Sequence, residues 1–363
     1  MLCNLLTQLF GGGRVEDLVS IDIGSANIKL MEIEYSGDSV NLKNAAVAPS
    51  PAGAIKNNVI VRPDEVANAI RALVEANGIS AKHVVTALPG PAVFSKKINL
   101  NRMSEKELRQ NIQFEAGNYI PHKLNAVHLD YQVLSSTDTS MEILLVAVKN
   151  EIIESFIQTI ELAGLVLEIA DVDSFALENM FELDYPEDEE LTVALVNVGS
   201  RYSSINILSR GVSLFTGDVS VGGRLYTDAL CETLDLKPPD AEKAKMGDIP
   251  EGMDENLIAE TIDRTTEHVT AELHRQLGFF WTAAATDKPI EKIYLCGGGS
   301  QLPGLLEELS AKTGIPVELV DTFRKVNCVQ SFDKEYLKEI GPSMSVSVGL
   351  ALRRDGDKVH SFE

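Results

Sequence analysis

Residues 19 to 30 read VSIDIGSANIKL, and residues 194 to 208 read ALVNVGSRYSSINIL. Each is an alternating apolar run, the period of a half-buried strand, that breaks at Gly-Ser and resumes as a second run. A chain that builds the same hairpin near its start and again past its middle is constrained toward two related α/β domains, and its 363 residues exceed what one core usually organises. The copies differ in one respect that bears on chemistry. Asp22 stands two residues before Gly24, whereas the neutral Asn197 stands two residues before Gly199. At the level of sequence, the duplication is visible at these two hairpins only.

Between the hairpins the pattern alternates. A helix is predicted at about 64 to 77, with Asn77-Gly78 as its stop signal, and HVVTAL (83–88) reads as a short buried strand. Ser104 and Glu107 form a capping box opening a helix whose apolar positions Leu108, Ile112 and Tyr119 recur near the helical period and which Pro121 ends. Strands follow at 127–134 and 141–148, then a helix at about 150–163, so residues 84 to 168 read as a compact insert. The run DYPEDEE (184–190) is acidic and contains Pro, which marks a surface linker between domains. Beyond the second hairpin, a long amphipathic helix at about 255–285 places Ile262, Val269, Leu273, Leu277 and Trp281 on one side. KIYLCGGGSQLPGLLEEL (292–309) reads strand, glycine turn, helix, and SVSVGLALRR (345–354) is a final apolar helix with a basic last turn.

The net charge of −22 argues against nucleic acid and against broad attraction to anionic lipid. Cys3, Cys231, Cys296 and Cys328 are scattered without metal-ligand spacing, so reduced, buried thiols in a cytosolic protein are expected and a metal site of protein ligands alone is not. The N-terminal Leu2, Leu5, Leu6, Leu9 and Phe10 share a helical face that reads as a short helix docked on its own domain, with a membrane foot as the alternative. No segment reaches the ~18 apolar residues of a transmembrane helix, and a cytoplasmic protein is expected.

A hairpin turn of Gly and Ser exposes backbone N–H groups that can converge on phosphate oxygens. One such turn is weak evidence; two, with a third glycine turn at Gly297-Gly298-Gly299, are stronger. Neither a Walker A loop nor a GxGxxG fingerprint is present.

This set resembles the actin-like ATPase superfamily of actin, sugar kinases, heat-shock chaperone ATPase domains and the division protein FtsA. The motifs that carry the likeness are IDIGSANIK, NVGSRYSS, LCGGGSQLPGL and AEKAK (241–245). The resemblance implies an α/β fold of two duplicated ribonuclease-H-like domains with a nucleotide cleft between them and an FtsA-like insert subdomain in the first. It implies domains at 1–183 (insert about 84–168) and 191–340, with a C-terminal helix in 341–363 returning to the first domain. It further implies ATP or ADP with Mg²⁺, Asp22 holding the metal through water, Ser25 at the terminal phosphate and Lys29 pairing with phosphates. Gly24, Gly199, Ser200 and Ser203 would serve the phosphate turns, Gly297, Gly298 and Gly299 the base and ribose, and Glu242 and Lys245 the ribose.

Within the superfamily, QFEAGNYIPHKLNAVHLDYQVL (113–134) and GLALR (349–353) are similar to the cytoplasmic actin-like proteins of type IV pilus assembly. That similarity implies a location peripheral to the inner membrane and a partner, the N-terminal cytoplasmic peptide of a PilN-like bitopic protein. Tyr119, Ile120 and Pro121 are candidates for the peptide surface, and ordinary helix-end packing is the alternative for each. The family usually has Asp at the position of Asn197, which orients metal-bound and attacking water. An amide cannot act as a base, and losing a general base costs ~10²–10⁴ in rate, so bound nucleotide with slow or absent hydrolysis is expected. Asn197 as a mere turn cap is the competing reading, and Arg201 is open between phosphate pairing and a solvated turn. A phosphotransferase, a type II secretion component and an FtsA-like polymerising protein, with self-association through the insert, remain as alternatives. The last is disfavoured because DGDKVHSFE cannot form the membrane helix that FtsA carries.

Overall fold

The computed structural model describes residues 17–37, 39–283, 288–328 and 332–354. The apolar N-terminal face, Cys3 and the tail from 355 lie outside the described residues, as does the side chain of Trp281. The chain forms two compact units. Among the described residues, the first comprises 17–34, Leu42–Asn179 and 347–354, and the second Tyr35–Asn41 with Met180–Val346.

In chain order the first part contains strands β1 (Leu18–Ile23), β2 (Asn27–Ser36), β3 (Ser39–Pro49) and the short pair β4 (Ile55–Lys56) and β5 (Val59–Ile60). Helix α1 (Pro63–Ala76), β6 (His83–Leu88), β7 (Val93–Asn101), α2 (Glu105–Ala116), β8 (Val127–Ser136) and β9 (Ser140–Lys149) follow. Next come α3 (Asn150–Leu162), β10 (Val166–Val172) and α4 (Asp173–Asp184). The second part adds β11 (Thr192–Val198), β12 (Ser203–Ser209), β13 (Val212–Val219), α5 (Gly223–Leu234), α6 (Pro238–Ala244), α7 (Glu255–Ala283) and β14 (Lys292–Cys296). It closes with α8 (Leu305–Thr313), β15 (Val317–Leu319), β16 (Val326–Cys328), α9 (Lys334–Ile340) and α10 (Ser345–Ala351).

The duplication runs deeper than the hairpins. One sheet has the order β10-β6-β1-β2-β3-β16, and the other β13-β12-β11-β14-β15. In each, the first strand pairs antiparallel with the second of its hairpin and parallel with a strand that follows a helical crossover. A further parallel strand then pairs with that one. Sequence periodicity could not show this, because strands buried on both faces read as plain apolar runs. In the first unit α1 and α3 cover the sheet, with Ile70, Phe156 and Ile160 in a core shared with Val19, Ile21, Ile28 and Leu30. In the second, Ile262, Val269, Leu273 and Leu277 of α7 pack with Val196, Ile205 and Ile207. Each such fully buried side chain contributes about 1.5–3 kcal/mol of transfer free energy.

Three expectations are corrected. The insert is narrower than residues 84–168, since β6 and β10 pair in the first unit's main sheet and α3 packs on its core. Only β7, β9 and β8 form a separate three-stranded sheet, under α2, with its own core of Ile98, Leu108, Ile112, Ile143 and Leu145. Helix α2 opens with the capping box at Ser104 and Glu107 as expected, but it ends at Gly117 rather than running to Pro121. The acidic stretch 184–190 is tied down rather than free. Asp184 and Tyr185 are buried, and Asp184 Oδ1 accepts the Lys325 amide at 2.8 Å. Tyr185 Oη accepts the Asp321 amide, and Asp188 accepts from Lys292 and the Tyr294 hydroxyl. Burial pushes the Asp184 carboxyl up to about 7 and the Tyr185 hydroxyl up to about 12.

Residues 347–354 complete the first unit. Ser20 Oγ donates to the Ser347 carbonyl at 3.0 Å. Gly349 lies so close to the Ala176 carbonyl that a Cβ has no space. Arg353, in the basic last turn of this segment, is buried 3.4 Å from the buried Asp171. Of the described cysteines, Cys296 is buried, Cys231 intermediate and Cys328 exposed, so a uniformly buried set is also corrected. No helix among the described residues is long and apolar enough to cross a membrane.

Candidate functional site

The two hairpin turns share one hydrogen bond. Gly24 N–H donates to the Asn27 carbonyl at 3.0 Å, and Gly199 N–H to the Tyr202 carbonyl at 3.1 Å. A Cβ on Gly24 would approach Asn27 O to 2.8 Å, and one on Gly199 would approach Tyr202 O to 2.7 Å, so the tight turn itself demands glycine. Ser25 and Ser200, one residue on, are both partly exposed.

What differs is the cross-strand pair below each turn. Asp22 lies opposite Lys29, and Lys29 Nζ donates to Asp22 Oδ2 at 2.7 Å with both side chains mostly buried. Asn197 lies opposite Ser204, whose hydroxyl is buried without a partner. The second hairpin has thus lost both members of the ion pair, not only the acid. The first turn is held from outside by Ser50, whose hydroxyl donates to the Gly24 carbonyl at 2.6 Å and whose amide donates to Ala26 O at 2.9 Å. Ser50 carries no local motif, so sequence reasoning did not single it out.

In the second unit three glycine turns pack on one another. Gly223 N–H donates to the Gly199 carbonyl at 2.9 Å and Arg224 N–H to the Ser200 carbonyl at 2.8 Å, setting the start of α5 against the second hairpin turn. A Cβ on Gly222 would come within 2.5 Å of Gly199 O. On the other side, Gly297 at φ +87° presses against Asn197 Oδ1 and the Val198 carbonyl, and Gly299 against the Val198 side chain. Gly298 is exposed, with Ser343 Cβ, 3.9 Å from a built Cβ, as its nearest neighbour, which leaves open surface where a flat ring could lie. The Gly222-Gly223 pair before an amphipathic stretch was a signal available in the sequence and not used.

Ser203 is fully buried, and its hydroxyl donates to the Val221 carbonyl at 2.8 Å. Glu242 and Lys245 form an ion pair at 2.6 Å, with Lys245 buried and Glu242 half exposed. Thr227, also missed, joins them, accepting from Lys245 at 3.1 Å and donating to Glu242. Arg201 is exposed. Among the described residues no three His, Cys, Asp or Glu side chains converge, so a divalent cation here would draw most of its ligands from water or a bound phosphate. Asp22 fits that role through its second carboxylate oxygen.

In the insert, Tyr119 is half buried beneath Lys96, whose ammonium lies 5.1 Å from the ring centroid. Ile120 belongs to the insert core and Pro121 is exposed, so any surface at this point is built by Tyr119 and Pro121, not by Ile120. Phe114 on α2 is 77% exposed, a large apolar side chain that helical periodicity did not flag because it falls off the apolar stripe.

The arrangement is that of the actin-like ATPase fold. Ethanolamine utilization protein EutJ from Carboxydothermus hydrogenoformans shares it with a TM-score of 0.56 at 15% identity, covering 96% of this chain and 92% of that one. Cell division protein FtsA of Staphylococcus epidermidis is 23% identical over 253 residues, 62% of this chain and 53% of FtsA. The chain thus spans about half the length of the curated relatives it matches. A chain of the solved "PilM-PilN type IV pilus biogenesis complex" is 29% identical with a TM-score of 0.84, covering 94% of this chain and 99% of that one. Residues 20–355 match the family described as Type IV pilus assembly protein PilM, and the chain belongs to that family.

Proposed function

We propose that this chain is an ATP-binding scaffold of the type IV pilus assembly platform that recruits the N-terminal cytoplasmic peptide of a PilN-like bitopic inner-membrane protein. Through that partner it is held peripheral to the membrane. In the first unit the Gly24-Ser25 turn and Lys29 would serve phosphate and Asp22 Mg²⁺; in the second, the Gly199-Ser200 turn would serve phosphate. The base and ribose lie at Gly297, Gly298 and Gly299 and at Glu242. Bound Mg²⁺ supplies charge neutralisation for the phosphates.

The observation that carries the scaffold reading is the pair Asn197 and Ser204, neutral at the register where the first hairpin holds Asp22 and Lys29. The fold retains the turns that bind phosphate, while the second hairpin has no carboxylate to orient or deprotonate water. The half-buried Tyr119 and exposed Phe114 and Pro121 support the insert as the peptide surface, since extended peptides dock through a few side chains in shallow pockets.

Calorimetric titration with ATP–Mg²⁺, with phosphate release followed on the same sample, tests the reading. Binding with negligible release is expected. Release at several turnovers per second would refute the scaffold reading in favour of a working ATPase.

A further inference from the structure

We infer that Lys245 is not a nucleotide ligand but a positioning residue that ties Glu242 to the Gly199-Ser200 turn. The inference rests on the nucleotide reading above. An ammonium carries three N–H donors and one charge, and here two donors are hydrogen-bonded within the protein while a carboxylate meets the charge. Lys245 Nζ donates to Gly223 O at 3.2 Å and to Thr227 Oγ1 at 3.1 Å, and it is ion-paired with Glu242 at 2.6 Å. The side chain is only 11% exposed, and its polar contacts lie within the protein.

Glu242 is placed differently. One oxygen accepts from Thr227 and the other is ion-paired with Lys245, yet the side chain is half exposed. Each oxygen keeps a lone pair, and a carboxylate can only accept, so the groups it can take from a ligand are hydroxyls such as those of a ribose. Thr227 is fully buried and fixes the carboxylate from behind.

The lysine's third contact leads elsewhere. The residue whose carbonyl it holds, Gly223, donates its own N–H to Gly199 O, and the next amide, Arg224, donates to Ser200 O. An ion pair and a run of hydrogen bonds therefore join Glu242 through Lys245 and Gly223 to the phosphate turn. All of these residues lie in the second unit. Removing Lys245 loosens the turn that grips phosphate, while leaving Glu242 with Thr227 and water.

Calorimetry with ATP–Mg²⁺ and with adenosine on the full chain, wild type, Lys245→Met and Glu242→Gln, separates the roles. Hydrogen exchange of peptides covering Gly199–Leu225 is read on the ligand-free proteins. For Lys245→Met, ATP affinity falls about tenfold, the scale of one charge-assisted hydrogen bond, and adenosine affinity falls by less than threefold. Exchange at Gly223 and Arg224 quickens about tenfold. For Glu242→Gln, ATP and adenosine weaken by the same factor. Equal losses of both ligands in Lys245→Met would make Lys245 a direct sugar ligand and overturn the inference, as would unchanged exchange at Gly223 and Arg224. Should Lys245→Met not fold, Thr227→Val removes one acceptor of the same tripod, with the same direction and about a third of the effect. Wild-type protein that binds neither ligand defeats the nucleotide reading alone, and exchange then decides the coupling by itself.

Discussion

Gly297→Ala should strongly destabilise the second unit, for reasons set by its backbone and its neighbours. Its backbone at φ +87°, ψ +163° falls in a region open almost only to glycine, which costs an alanine about 2 kcal/mol. The added methyl would also meet Asn197 Oδ1 and approach the Val198 carbonyl to 2.5 Å. One of these neighbours is backbone in a central strand that cannot swing aside, so overpacking adds about 2 kcal/mol more. The total of about 4 kcal/mol is a large part of a domain's usual 5–15 kcal/mol. For a domain of this size it lowers the unfolding midpoint by about 8–16 °C. The adjacent Gly298→Ala is the internal control, since its Cβ has only Ser343 Cβ in reach, at 3.9 Å, and it should shift the midpoint by less than about 3 °C. Calorimetric scans of the three proteins in parallel give the answer. A Gly297→Ala midpoint within 2 °C of wild type, or equal damage from both alanines, would refute the close packing of the third turn on Asn197.

Asn197→Asp restores a carboxylate to the second hairpin and should raise phosphate release at least tenfold; no gain would remove Asn197 as the cause of slow turnover. Asp184, with a native carboxyl at about 7 against an ordinary 3.8, favours the protonated folded state. Its stabilisation is therefore complete below about pH 4 and lost as pH rises through 7, and Asp184→Asn should raise stability at pH 8 by up to about 4 kcal/mol and flatten the pH 4–7 slope in urea titrations. Tyr119→Ala should weaken binding of the partner peptide about tenfold by fluorescence anisotropy with ATP affinity unchanged; full retention of peptide binding would move the docking surface elsewhere.

How much of this was legible in the sequence depended on distance along the chain. The hairpins at 19–30 and 194–208 were, because a strand's period and a Gly-Ser turn are local, and the helix start at Ser104 was for the same reason. The five-strand repeat was not, since β6 and β14 find their partners across helical crossovers. The stretch 184–190 looked like solvent-exposed linker by composition, and only Lys325, Asp321, Lys292 and Tyr294, more than a hundred residues later, satisfy it. Ser50 and Thr227 act through single hydroxyls aimed at distant groups, which leave no pattern. Glu242 and Lys245 were found together, but their division of labour lies in hydrogen bonds and an ion pair that need coordinates.

The first unit is discontinuous, and its closing contacts at Ser347, Gly349 and Arg353 follow the whole of Met180–Val346. During synthesis the unit begun first is therefore finished last. At ~5–20 residues per second, that intervening stretch takes roughly 8–30 s to emerge. Through this interval Ala176 and Asp171 wait without the segment that covers them, the period in which a nascent chain is exposed to proteases and dependent on chaperones.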